Sequence, residues 1–229
     1  MANDIKAVLF DLDGTLLDTA ADFSTAINLL LAQHNKPPLA HEVLRTKIST
    51  GIAGMLKTAF QLTDQDAQLT VLKANLFELY RQHLAEQTQP FAGINELLIT
   101  LEQNNLAWGI VTNKPSYLTQ QLLSQLNFGQ QAGAIVCADQ VANPKPDPEA
   151  LLVACEKMAI TPQQAIYIGD HQRDIKAGNA AGMFTIAACY GYLEDHHQPE
   201  QWQADYLVDS VLQLRQLIDQ LTMPCESAV

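Results

Sequence analysis

Six short apolar runs constrain this chain more than anything else in it: IKAVLF (5–10), AWGIVT (107–112), GAIVCA (133–138), AIYIG (165–169), MFTIAA (183–188) and DYLVD (205–209). Most are apolar at successive rather than alternating positions, the pattern of strands buried on both faces of a parallel sheet. Helical periodicity fills the intervals at 93–104, 115–127, 147–159, 173–181 and 211–221. Strands that alternate with helices make βαβ units, so the expected fold is α/β, a doubly wound Rossmann-like parallel sheet. One interval breaks the alternation. ADFSTAINLLLAQHN, EVLRTKI, GMLKTAF and DAQLTVLKANLFELYRQHLAEQ all read as amphipathic helices, with NKPPL (35–39) as a breaker between the first two. The expected organisation is a core of residues 1–19 plus 89–229 carrying an all-helical insertion, 20–88.

Ligands of open parallel sheets bind beyond the carboxyl ends of the strands, which turns the strand list into a site list. Asp11 and Asp13 follow the first run, Thr112 closes the second and Asn113 follows it, Lys145 lies in the loop after the third, and Asp170 and Asp174 follow the fourth. Carboxylates this close repel one another and are costly to bury without a partner. A hard cation answers that problem, and oxygen ligands beside a phosphate-bearing substrate favour Mg²⁺. Asp11 is then suited to attack phosphorus, and Asp13 to protonate the leaving alcohol and deprotonate the attacking water. Lys145, stiffly mounted in NPKPDP, can balance charge on the phosphoryl group, while Thr112 and the backbone N–H groups of the 13–15 turn can donate to its oxygens. Asn113 is expected to support the same site.

The chain's overall charge bounds its partners. A formal charge of −12 argues against nucleic acid or an anionic membrane surface. No apolar run approaches the roughly 20 residues of a membrane span. Cys137, Cys155, Cys189 and Cys225 form no CxxC pair, which fits reduced thiols and a cytoplasmic protein. No sequence feature calls for an oligomer, so a monomer is the default.

DLDGT (11–15), VTN (111–113), Lys145 and GDHQRD (169–174), in this order and spacing, resemble the four motifs of the haloacid dehalogenase-like hydrolases. The resemblance spans almost the whole chain, and the helical insertion corresponds to that family's cap. It implies Asp11 as nucleophile, Asp13 as acid/base, and Mg²⁺ held by Asp11, the Asp13 backbone carbonyl and Asp170, with Asp174 supporting them from behind. A carboxylate at position 13 favours phosphate-ester hydrolysis over dehalogenation. His171 departs from the small polar or acidic residue of many relatives. VTNKP resembles phosphoglycolate phosphatases, while KISTGIAGM and YGYLEDHHQPEQWQADYLVD are closer to N-acetylmuramic acid 6-phosphate phosphatases. The expected activity is a Mg²⁺-dependent phosphatase acting on a small phosphorylated metabolite. A sugar phosphomutase of the same superfamily and a phospho-accepting receiver-type switch are the alternatives.

Other residues carry weaker signals. Arg45 and Lys47 are either charges on a solvated helix face or contacts for the remote end of the substrate. Tyr190, Tyr192 and Trp202 offer aromatic surface that would favour a sugar phosphate over glycolate, although residues such as Tyr190 and Tyr192 are more often packing residues than sugar platforms. His196 and His197 have no partner at metal-ligand spacing and are expected in a surface loop.

Overall fold

The computed structural model describes residues 4–193 and 198–222, so His196, His197 and Cys225 lie outside the described residues. Six parallel strands form the main sheet: β1 (Ala7–Phe10), β4 (Ala107–Thr112), β5 (Ala134–Cys137), β6 (Ala165–Gly169), β7 (Phe184–Ala188) and β8 (Tyr206–Val208). Their order is β5-β4-β1-β6-β7-β8. All four residues of β1 are fully buried, because side chains pointing to either face meet a helical layer. Val8 and Phe10 join the cluster that includes α5 (Ile94–Gln103), α6 (Ser116–Gln125) and α9 (Val211–Thr222), whereas Leu9 packs with α7 (Glu149–Lys157) and α8 (Gln172–Ala181). This is the expected doubly wound α/β fold, and its six strands fall on the six apolar runs.

Between β1 and β4 the chain runs through α1 (Ala20–Gln33), α2 (His41–Arg45), α3 (Gly51–Phe60) and α4 (Gln68–Gln82). Two further strands, which the apolar pattern does not announce, flank this stretch. β2 (Leu17–Asp18) and β3 (Gln89–Pro90) pair antiparallel, so the chain enters and leaves the helical segment side by side. Buried Asp22 fastens the same crossing, accepting from Gln87 N–H at 2.8 Å and from both the N–H and the hydroxyl of Thr88.

The strand order reverses about β1, with β4 on one side and β6 on the other, and ligands bind outside such a switch point. Phe10 is in register with Ile110 and Ile168, which brings the carboxyl ends of the three central strands together.

Candidate active site

The site grows from the residue after β1. Asp11 N–H donates to Ile168 O at 2.8 Å, extending the ladder by one residue, so the Asp11 side chain stands between the ends of β4 and β6. The chain then turns sharply, with Leu12 O accepting from Leu16 and Leu17 N–H at 3.1 and 2.9 Å. Gly14 makes the turn with φ +88°, and a Cβ there would collide with the Asp170 carboxylate. The backbone conformation and the neighbouring carboxylate therefore both demand glycine at position 14.

Asp170 directly follows β6, and Asp174 sits in the first turn of α8, where the helix dipole favours negative charge. His171 caps that helix: its Nδ1 accepts from Arg173 N–H at 3.1 Å, and its own N–H donates to Asp174 Oδ2 at 3.1 Å. The residue that departs from the family pattern thus supports Asp174 from the backbone. The carboxylate cluster that can hold a metal among the described residues consists of Asp11, Asp170 and Asp174, whose oxygens lie within 4.8 Å of one another.

Lys145 reaches into this cluster from the loop before α7. Its Nζ lies 2.9 Å from Asp11 Oδ1, 2.6 Å from Asp174 Oδ1, 2.8 Å from Tyr167 Oη and 2.9 Å from Val111 O. Four oxygens share three protons, which fixes the ammonium firmly. Burial alone would push Lys145 down, but Asp11 and Asp174 carry it above the ordinary lysine value. Asp11 is pushed up to about 6 by burial, opposed by Lys145 and reinforced by Asp174. Burial, with Asp11 and Asp174 adding to it, lifts Asp170 to about 8. Lys145 by itself does not balance the charges of Asp11, Asp170 and Asp174.

Asp170 shows where the missing charge belongs. Its Oδ2 accepts from Ser49 Oγ at 2.7 Å and from Tyr192 N–H at 2.9 Å, whereas Oδ1 is buried with no hydrogen-bond partner among the described residues. An orphaned carboxylate oxygen beside two further carboxylates fits a small hard divalent cation.

Asp13, Thr112, Asn113, Lys145, Asp170 and Asp174 join Asp11 in the wall of one cavity of about 190 Å³. Thr112 Oγ1 accepts from Lys114 N–H at 3.1 Å, which leaves its own proton to donate. Asn113 turns its amide toward the Lys145 backbone, accepting its N–H at 3.1 Å and donating to its carbonyl at 2.9 Å. Arg45 and Lys47 do not line the cavity. The Arg45 guanidinium instead bonds both oxygens of Asp18, at 2.8 and 2.7 Å, and lies 4.8 Å from the centre of the Tyr192 ring.

Tyr192 and Trp202 are both buried, so Tyr192 packs, and the aromatic surface expected of Trp202 is a correction. Tyr192 Oη accepts from Thr19 N–H at 2.6 Å and donates to Asp18 at 2.9 Å, while Tyr190 Oη donates to Thr15 O at 3.1 Å. Their polar tips are satisfied by protein, so the rings pack rather than present a face. Two site residues, Lys114 and Ser49, stand outside the sequence expectations, and Tyr192 joins the site through its backbone rather than its ring. Lys114 carried a signal, since it directly follows VTN and is the nearest cation to the expected site. Ser49 and Tyr192 carried none, because their bonds to Asp170 span 121 and 22 residues.

The family profile of the haloacid dehalogenase-like hydrolases matches residues 8–188. The chain belongs to that family. It is 38% identical over 221 residues to the N-acetylmuramic acid 6-phosphate phosphatase of Pseudomonas aeruginosa, covering 96% of this chain and 98% of the relative. It is 42% identical over 209 residues to a phosphoglycolate phosphatase of Xanthomonas campestris pv. campestris, covering 91% and 94%. Within the family the chain is a phosphatase, the activity that both groups of near-full-length relatives carry in their names. A hydrolase structure from Pseudomonas syringae is similar at TM-score 0.73 and 28% identity, covering 95% of this chain and all of that one (100%). A protein of Haemophilus somnus described as a predicted phosphoglycolate phosphatase shares the fold at TM-score 0.81 and 24% identity, covering 94% and 98%. No helix among the described residues is long and apolar enough to cross a membrane.

Proposed function

We propose that this phosphatase hydrolyses a small phosphomonoester by way of a transient aspartyl-phosphate on Asp11. One observation carries the reading: the Asp11, Asp170 and Asp174 oxygens converge within 4.8 Å, and Asp170 Oδ1 has no partner among the described residues in the wall of a cavity that Asp13 also lines. Asp11 attacks phosphorus and forms a new O–P bond as the ester O–P bond breaks. Asp13 gives its proton to the departing alcohol oxygen, then takes one from the water whose oxygen attacks phosphorus; the Asp11 O–P bond breaks, which frees the Asp11 carboxylate and releases inorganic phosphate. Thr112 donates to a phosphoryl oxygen, Lys145 balances the charge on Asp11 and Asp174, and Asn113 acts through Lys145 by fixing its loop. Asp11, the Asp13 carbonyl and Asp170 would hold Mg²⁺, with Asp174 behind them, and that ion would neutralise charge on the phosphoryl oxygens. Helices α1 to α4 act as a cap that excludes bulk water.

N-acetylmuramic acid 6-phosphate is the first substrate choice. Ile48, Ile52, Met55, Phe77 and Leu118 line the cavity, and such an apolar wall complements the methyl groups of that sugar better than bare glycolate. 2-Phosphoglycolate is the second choice, supported by the 42% identical relatives of that name. The test is phosphate release from both compounds, side by side, with Mg²⁺ or with EDTA. Sustained Mg²⁺-dependent turnover is expected, reduced at least about 10³-fold in Asp11→Asn. Undiminished turnover in that variant would remove the nucleophile. A single equivalent of phosphate would point to a switch, and an isomerised sugar phosphate to a mutase.

A further inference from the structure

Beyond the residues assigned so far, one cation at the site is held in an unusual way. Lys114 is only 6% exposed, yet its ammonium is 3.0 and 3.2 Å from the two oxygens of Asp13. It also donates to Tyr80 Oη at 2.8 Å. Beside it, the rings of Phe23 and Tyr80 stack with centroids 3.8 Å apart and planes 1° from parallel. The ammonium lies 4.8 Å from the centre of the first ring and 4.5 Å from the second. Tyr80 is buried, which holds its phenol well above the ordinary value and keeps it neutral, and Asp13 is the carboxylate in contact with the lysine.

The parts come from separate elements. Asp13 belongs to the turn after β1, Lys114 follows β4, Phe23 lies in α1 and Tyr80 in α4. A buried lysine is a flexible chain with a strongly hydrated head, and it stays in one place only when every direction is filled. Here a carboxylate, a phenol oxygen and the rims of the two stacked rings surround it. We propose that Lys114 is a positioning residue for Asp13, and that Tyr80 and Phe23 lend the helical segment's rigidity to it. Without the clasp the Asp13 carboxylate would lose its buried partner, and its side chain would lose its fixed aim at the ester oxygen.

The inference rests on the reading of Asp13 as acid/base, so the test includes Asp13 itself. A mispositioned acid matters most when the leaving oxygen is strongly basic and must be protonated, and least when the leaving group departs unaided. The readout is therefore kcat on whichever alkyl ester the parent turns over, N-acetylmuramic acid 6-phosphate or 2-phosphoglycolate, against kcat on p-nitrophenyl phosphate, each with Mg²⁺. Asp13→Asn is expected to lose about 10²-fold or more on the alkyl ester and much less on the aryl ester. Lys114→Met is expected to show the same selectivity at smaller size, about 10- to 100-fold, with KM within about threefold of the parent. Tyr80→Phe, which keeps the ring and removes one hydrogen-bond partner, should show it weakly, about 3- to 10-fold.

Each alternative has its own signature. A raised KM with kcat retained would make Lys114 a substrate contact and overturn the proposal. Equal losses on both esters would make it a structural residue and overturn the proposal as well. Should Lys114→Met fail to fold, Tyr80→Phe decides alone: leaving-group selectivity supports the clasp, and a uniform or absent effect rejects it. If Asp13→Asn itself shows no selectivity, the acid/base reading fails, a result separate from failure of the clasp.

Discussion

Lys145 enters the site from a loop with no strand or helix of its own, and a neighbouring side chain fixes it there. Asn113 Oδ1 accepts the Lys145 N–H and Asn113 Nδ2 donates to the Lys145 carbonyl, a two-bond bracket around one residue's backbone. Alanine at 113 would leave both backbone groups unpaired at a buried residue. The expected cost is about 1–3 kcal/mol in urea unfolding, with kcat reduced because the ammonium loses its anchor. Asparagine-to-aspartate should be worse for activity than its small change in shape suggests. It would set an acceptor against the Lys145 carbonyl where a donor is needed. If Asn113→Ala unfolds with the parent's midpoint, the bracket contributes nothing.

At the level of elements, helix α2 and the short strand β2 explain both what the sequence revealed and what it hid. The six core strands were legible because their apolar runs are continuous, as burial on two faces requires. β2 and β3 were not, since two residues cannot display any period. Asp11, Thr112 and Asp170 could be placed because they stand at strand ends, and Asn113 and Asp174 because they follow closely. Partners such as Ser49 and Tyr192 become neighbours only through tertiary packing. Arg45 shows the same limit from the other side: its carboxylate partner lies 27 residues away on β2, so no local charge pattern announces the pair. Because the two-oxygen contact ties α2 to the base of the helical segment, Arg45→Ala and Asp18→Asn should each destabilise modestly. A double-mutant cycle should give a coupling of about 0.5–1 kcal/mol, the scale for a half-exposed but well-aligned pair. Additive effects would mean the contact is only geometric.

For the molecule as a whole, the buried carboxylate cluster links stability, pH and cation. Asp11 at about 6 and Asp170 at about 8 both stand above the unfolded carboxylate value of about 3.9. Between that value and the folded ones, the folded state binds more protons than the unfolded state, so the metal-free protein loses stability as pH rises through about 6 and then about 8. Exposed carboxylates held low, such as Glu78 at about 2 and Asp139, act in the opposite sense, but their window closes below about pH 5. A cation that binds only the folded protein stabilises it, and its affinity grows as its carboxylates lose their protons. The melting temperature in EDTA should therefore fall between about pH 5.5 and 8.5, and the increment from millimolar Mg²⁺ should widen over the same range. Asp170→Asn should flatten both trends, because it removes the group titrating highest and the oxygen left without a partner. A Mg²⁺ increment that stays constant with pH, or survives intact in that variant, would place the cation somewhere other than beside Asp170.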